Sequence, residues 1–158
     1  GTNLAEDWRP AAPSGNRLYA TMQREIARAL GELRETGRPF RLGGFFWMQG
    51  ETDASQPAHA AAYAENLRQF IAALRHDLAV PALPFIVGRI GPQPPRGYSH
   101  QASVRQAQVT VIESASAAGW TDTDDLPRGT DGIHLLAAGV ITLGERWADA
   151  WQKQRGSR

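Results

Sequence analysis

Apolar positions along this chain alternate between two spacings. Leu18, Met22, Ile26, Leu30 and Leu33 recur every three or four residues and predict a helix, with Ser14 or Asn16 placed to cap its start and Gly37 to stop it. Phe40 to Gln49 is a mostly apolar run carrying aromatics, the pattern of a buried parallel strand. Pro57 opens a second helix whose inner face carries Tyr63, Leu67, Phe70, Ile71, Leu74 and Leu78. Pro84 to Gly88 predicts a second short buried strand. A Pro/Gly-rich loop, Gly91 to Gly97, then leads to a helix over about Ser99 to Ala117 and a short strand around Trp120 to Thr123. A final helix is predicted over about Ala137 to Gln152.

Repeated strand-helix units imply an α/β fold with a parallel sheet covered on both faces, a three-layer α/β/α sandwich. Only three strands are visible, too few to cover the apolar faces of four helices. Gly1 to Trp8 reads as a loop that should follow a strand. The expectation is a single domain over residues 1–158 that lacks its first strand-helix-strand.

The length of 158 residues fits one domain with a sizeable core. A formal charge of +1, from 17 basic and 16 acidic residues, gives no electrostatic reason to expect a nucleic acid or an anionic membrane as partner. The absence of cysteine excludes disulfides, thiolate metal sites and a cysteine nucleophile. No apolar run reaches membrane-spanning length. The chain begins at Gly1, so any export signal, for secretion or the periplasm, would lie upstream.

Two segments could carry chemistry. Asp131-Gly132-Ile133-His134 places a carboxylate and an imidazole on one tight turn. It reads either as the acid and base of a Ser-His-Asp hydrolase or as a surface turn in which Asp131 caps the next helix. Trp47-Met48-Gln49-Gly50-Glu51-Thr52-Asp53 sits where the first strand ends, the place ligands occupy in open parallel sheets. Gln49 there could donate an amide N–H to an oxyanion, and Gly50 would let backbone approach closely. The alternative is a strand-ending turn with Glu51 or Asp53 capping the following helix.

Other residues carry blander expectations. His59 and His76 read as solvated surface residues, and His100, which follows the Pro-rich loop, reads as a surface residue or as one lining a substrate cleft. Asp122, Asp124 and Asp125 invite a calcium reading, but Pro127 and Ile133 stand where an EF-hand loop needs Gly and Glu. Trp8, Trp47 and Trp120 could stack on sugar rings, with core packing the default for Trp47. Arg105 reads as a buried hydrogen-bonding residue near the site or as a helix-surface charge.

The block Trp47 to Ala54 together with Asp131 to Leu135 resembles the SGNH hydrolase superfamily. Within it the likeness is to carbohydrate acetylesterases of the sialate O-acetylesterase-like and acetylxylan-esterase-like kind. Gly1 to Trp8, Val104 to Gln108 and Thr121 to Leu126 fit further segments of that family, so the resemblance runs from Gly1 to about Trp151. It implies the flavodoxin-like SGNH fold. It also implies that His134 is the general base, Asp131 its orienting carboxylate and Gln49 an oxyanion-hole amide beside Gly50. Gly1 would be a backbone oxyanion donor or that donor's neighbour, and Glu51 and Arg105 would be supporting residues.

The departure is at the family's first block, a Gly-Gln-Ser-Asn-like segment that carries the nucleophile. None of the serines here lies in that context, and a Gly-x-Ser-x-Gly elbow is also absent. The resemblance therefore implies an acetylesterase acting on sugar hydroxyls whose serine lies upstream, without cofactor or metal. The chain by itself is expected to be inactive and marginally stable. The alternatives are a lipid- or thioester-directed esterase of the same superfamily, and a non-catalytic carbohydrate-binding module.

Overall fold

The computed structural model describes residues 1–10, 18–92, 94 and 97–156. In chain order the elements are α1 (Leu18–Glu35), β1 (Phe45–Trp47), α2 (Glu51–Ala54), α3 (Pro57–Asp77), β2 (Phe85–Gly88), α4 (Gln101–Ser114), β3 (Ala118–Thr121) and α5 (Ala137–Gly156). The expected cap at Ser14 or Asn16 falls outside the described residues.

The three strands form a parallel sheet in the order β1-β2-β3, with Phe45 opposite Phe85 and Phe85 opposite Ala118. Side chains alternate between the two faces. Phe45, Trp47, Phe85 and Val87 point into the core shared with α3 and α4, where Tyr63, Leu67, Phe70, Leu74, Val104 and Val111 are buried. Phe46 and Gly88 face the other way, against Trp147 and Leu143 of α5. The result is the expected three-layer α/β/α arrangement.

Phe70 organises the main core. Its ring lies 4.5 Å from Trp47, 5.6 Å from Tyr19 and 6.5 Å from Trp8, the last two edge-on. A fully buried side chain of this kind contributes about 1.5–3 kcal/mol through burial. Trp8 is thereby a packing residue that joins the N-terminal segment to the sheet.

The α3 boundaries follow from local chemistry. Pro57 occupies the first turn after an extended Gln56, where its missing N–H costs nothing. At the other end the N–H groups of Ala79 and Val80 donate to the carbonyls of His76 and Arg75, a Schellman closure with Ala79 at φ 53°.

Several expectations need correction. The first strand is much shorter than Phe40 to Gln49: pairing begins at Phe45, whose N–H donates to Pro84. Among the described residues no strand lies beside residues 40–44 on which they could extend. Nor is β1 buried on both faces, since it lies at an edge of this sheet and Phe46 is 42% exposed. The helix expected from Ser99 to Ala117 stops at Ser114, because Ala115 turns extended and Ala117 takes φ 49°. The third strand starts two residues earlier than expected and ends at Thr121, after which the chain turns through hydrogen bonds of Asp122 and Thr123. Apolar residues of α1 and α5 do remain uncovered, among them Leu33, Val140 and Ile141.

Candidate active site

The chain leaves the end of β1 through Met48, Gln49 and Gly50, and four side chains pin this exit. Tyr63 Oη donates to the Gln49 carbonyl at 2.6 Å, and Gln108 Nε2 donates to the same oxygen at 2.9 Å. Gln108 Oε1 accepts the Ile90 N–H at 3.0 Å, so one fully buried amide ties the ends of β1 and β2 together. Burial pushes the Tyr63 hydroxyl up, which keeps it protonated and able to donate. Gly50 takes φ 151° with Val104 and Ile90 packed where a side chain would begin, so both its conformation and its surroundings demand glycine.

The Gln49 side chain holds the N-terminal segment. Its Nε2 donates to Asp53 Oδ2 at 2.6 Å and to the Thr2 carbonyl at 3.0 Å. Two acceptors around one group fix the amide orientation, since the flipped form would set oxygen against oxygen. Asp53, fully buried, also accepts the Leu4 N–H at 3.0 Å. Burial raises the Asp53 carboxyl above its ordinary range despite bonds from Gln49 and Leu4 that pull it down. Gly1 packs against Thr52, and Trp8 Nε1 donates to Thr2 Oγ1 at 3.0 Å.

The Asp131–His134 turn projects from the connection between β3 and α5. Asp131 Oδ2 lies 2.6 Å from His134 Nδ1, while its Oδ1 accepts the N–H groups of Ile133 at 2.8 Å and His134 at 3.0 Å. These bonds, the imidazole first, hold the Asp131 carboxyl down at about 2. An ionised Asp131 assigns the proton to Nδ1 and leaves Nε2 as the nitrogen open to chemistry. The His134 side chain is 84% exposed, so that nitrogen is accessible. Gly132 supplies the sharp bend at φ 70°. The alternative sequence reading, with Asp131 as a helix cap, is not what the contacts show: its oxygens serve its own turn, and α5 starts six residues later.

One cleft of about 550 Å³ brings these pieces together. Gly1, Gln49, Glu51 and His134 line it, with Tyr98 and apolar walls that include Met48, Ile133, Leu135, Val140 and Leu143. Glu51 is pushed up chiefly by burial, against bonds from its own and the Gly50 backbone and the pull of His134. Among the described residues no serine lines the cleft.

Arg105 does not line the cleft. It donates to the Ile90 carbonyl and forms a forked pair with Asp124 at 2.7 and 2.8 Å, bracing the ends of β2 and β3. Arg89 shares Asp124 and also binds Asp122, while Arg146 pairs with Asp125. The acidic trio is thus taken up by arginines. His59 is a further correction: its side chain is only 14% exposed, tucked near Glu6 and Asp53. His76 is solvent-exposed beside Asp77, as expected. Trp47 is core, and Trp120 lies under the Arg89 guanidinium, 5.2 Å from its ring centre.

Sequence reasoning missed Gln108, Tyr63 and Asp53 as parts of this site. Gln108 had a signal, as the lone polar residue on an α4 face otherwise made of Val104, Val111 and Ile112.

Fold and site together define an α/β domain with an acid–imidazole pair over the carboxyl ends of parallel strands. The family model described as carbohydrate esterase, sialic acid-specific acetylesterase, matches residues 1–153, and the chain belongs to that family. A probable carbohydrate esterase of Arabidopsis thaliana is 31% identical over 137 residues, covering 87% of this chain and 48% of the relative. The chain therefore spans about half the length of that relative. An X-ray structure of an Arabidopsis thaliana protein superposes with a TM-score of 0.78 at 29% identity, over 97% of this chain and 57% of the other. The crystal structure of a carbohydrate acetylesterase from Xanthomonas citri gives 0.65 at 27% identity, over 76% of this chain and 27% of that one. The fold is the SGNH-like α/β fold of these esterases.

Proposed function

We propose that this chain carries the acid–base half of a carbohydrate O-acetylesterase that removes acetyl groups from sugar hydroxyls by a Ser-His-Asp mechanism. The observation that carries the reading is the 2.6 Å Asp131–His134 bond on a turn lining the same cleft as Gln49 and Glu51. His134 Nε2 takes the proton of a serine hydroxyl as the serine attacks the acetyl carbonyl. It then returns that proton to the departing sugar oxygen, and in the second half-reaction it activates water. Asp131 holds the imidazole in the required tautomer and stabilises the imidazolium.

The nucleophilic serine is assigned to sequence upstream of Gly1, because no serine of this chain stands in a Gly-Gln-Ser-Asn-like block. Oxyanion donors are assigned to the backbone of Gly1 and to Gln49, beside Gly50. Both Gln49 protons are engaged, so that donation exchanges the longer bond, 3.0 Å to Thr2, for one to substrate. Each such donor is commonly worth about 3 kcal/mol of barrier.

The test is turnover of 4-nitrophenyl acetate by the protein carrying the upstream coding sequence, against its His134→Ala variant. Loss on the order of 10⁶-fold is expected, as for removal of the histidine from a serine-protease triad. Undiminished turnover would sink the assignment. The apolar cleft walls keep a lipid-directed esterase in view, and activity rising from acetate to long-chain esters would favour that reading over release of acetate from acetylated xylan.

A further inference from the structure

We propose that Arg128, seated on Gly91, is the positioning residue that sets where the Asp131–His134 turn stands over the cleft; its catalytic meaning rests on the acetylesterase reading. The turn is closed by its own bonds. Gly129 N–H donates to the His134 carbonyl at 2.8 Å, Leu136 N–H to Pro127 at 2.9 Å and Gly132 N–H to Gly129 at 2.9 Å. Together with the Asp131 bonds these make the tip a rigid body with a neck at residues 127–129 and 134–136. Such closure fixes His134 relative to Asp131 but leaves open where the pair stands relative to Gln49.

The Arg128 side chain supplies that second constraint. Its guanidinium donates to the carbonyls of Thr123 at 2.7 Å and Leu126 at 3.0 Å, and to Thr123 Oγ1 at 3.3 Å. Thr123 is fully buried, and its hydroxyl donates to the Arg89 carbonyl at 2.7 Å, at the end of β2. The neck is thereby pinned to the sheet through one planar fork. Gly91 is buried, and a methyl group there would overlap the Arg128 guanidinium, so the fork depends on a bare backbone beneath it. Pro94 backs the tip itself, since a Cβ on Gly132 would lie 3.1 Å from its Cγ. Gly91 and Pro94 thus work as a backing for the turn.

Because the Asp131–His134 bond is local to the tip, loss of the fork moves the pair as a unit without changing its chemistry. Arg128→Ala and Gly91→Ala should each deprotect the Gly129 and Leu136 amides in hydrogen exchange of the 158-residue chain. Gly91→Ala should add nothing in the Arg128→Ala background, because it acts through the displaced guanidinium. In the catalytically competent protein kcat should fall roughly 10- to 100-fold, with KM and the pH profile unchanged. Arg128→Lys should not rescue, since an ammonium cannot form the fork. Unchanged exchange, additive effects, rescue by lysine or a kcat equal to wild type would each overturn the proposal. Exchange reads the loop without catalysis, so a wild-type protein with no turnover would count against the acetylesterase reading alone.

Discussion

Asp131 holds His134 at two points, accepting the ring Nδ1–H with one oxygen at 2.6 Å and the backbone N–H with the other at 3.0 Å. The first bond sets the tautomer and the second sets the turn, so the two functions separate by mutation. In Asp131→Asn the carbonyl oxygen can keep the backbone bonds while the amide NH₂ faces Nδ1. The imidazole then presents the wrong tautomer. In the protein carrying the upstream coding sequence, turnover on 4-nitrophenyl acetate should fall on the order of 10⁴-fold, as for the analogous change in serine proteases. The melting temperature should move by a few degrees at most. Activity within tenfold of wild type would remove Asp131 from the mechanism.

Acid should act on this fold with two opposing signs. Asp131 and Asp125 are held at about 2 and Asp124 is lowered, the last two by arginine partners. A carboxylate held below its unfolded value stabilises the fold above pH ~4, and that contribution is lost as pH falls from ~4 towards 2. Glu51 and Asp53 are raised by burial, so their protonation on acidification favours the fold instead. The melting temperature should therefore hold between pH 6 and 4 and drop below 4. In Asp125→Asn the drop should be smaller, which melts followed by circular dichroism at pH 6, 4 and 2.5 will show.

Gln108→Leu tests the buried link between strand ends. The Gln49 carbonyl would retain the Tyr63 hydroxyl, but the Ile90 N–H would lose its acceptor inside the core. An orphaned buried donor costs about 1–3 kcal/mol. Urea unfolding should show that loss, and esterase turnover should fall with it because Gln49 and Gly50 lose their brace. Unaltered stability would mean that the link contributes nothing net.

The parts of the fold that were legible share one property: their signal lies within a few residues. Helix α3 showed its apolar face, its opening proline and its length, and strand β2 its short apolar run. Asp131, His134 and the Gln49-Gly50-Glu51 block stood out only in combination, through the family resemblance, since each string alone also fits a structural turn. Strand β1 was overextended because hydrophobicity at Phe40 to Leu42 does not reveal the lack of a neighbouring strand. Asp53, Tyr63, Gln108 and Arg128 act on residues up to 59 positions away, and only the folded chain brings them together. Gln108 alone broke an apolar face. The others looked like ordinary cap, core and surface residues.

Ala79 offers a gain in stability without touching the cleft. It closes α3 at φ 53°, a left-handed conformation that costs an ordinary residue roughly 1–2 kcal/mol and glycine almost nothing. Both Schellman bonds are made by backbone, so Ala79→Gly keeps them. Glycine also loosens the unfolded chain, which takes back about 0.4–1 kcal/mol. The relief of strain is the larger effect, leaving a net gain of about 0.5–1 kcal/mol. For a domain of this size that corresponds to a rise of about 1–4 °C in Tm. A scanning calorimetry comparison checks it, and a lower Tm in the variant would show that the unfolded-state term wins.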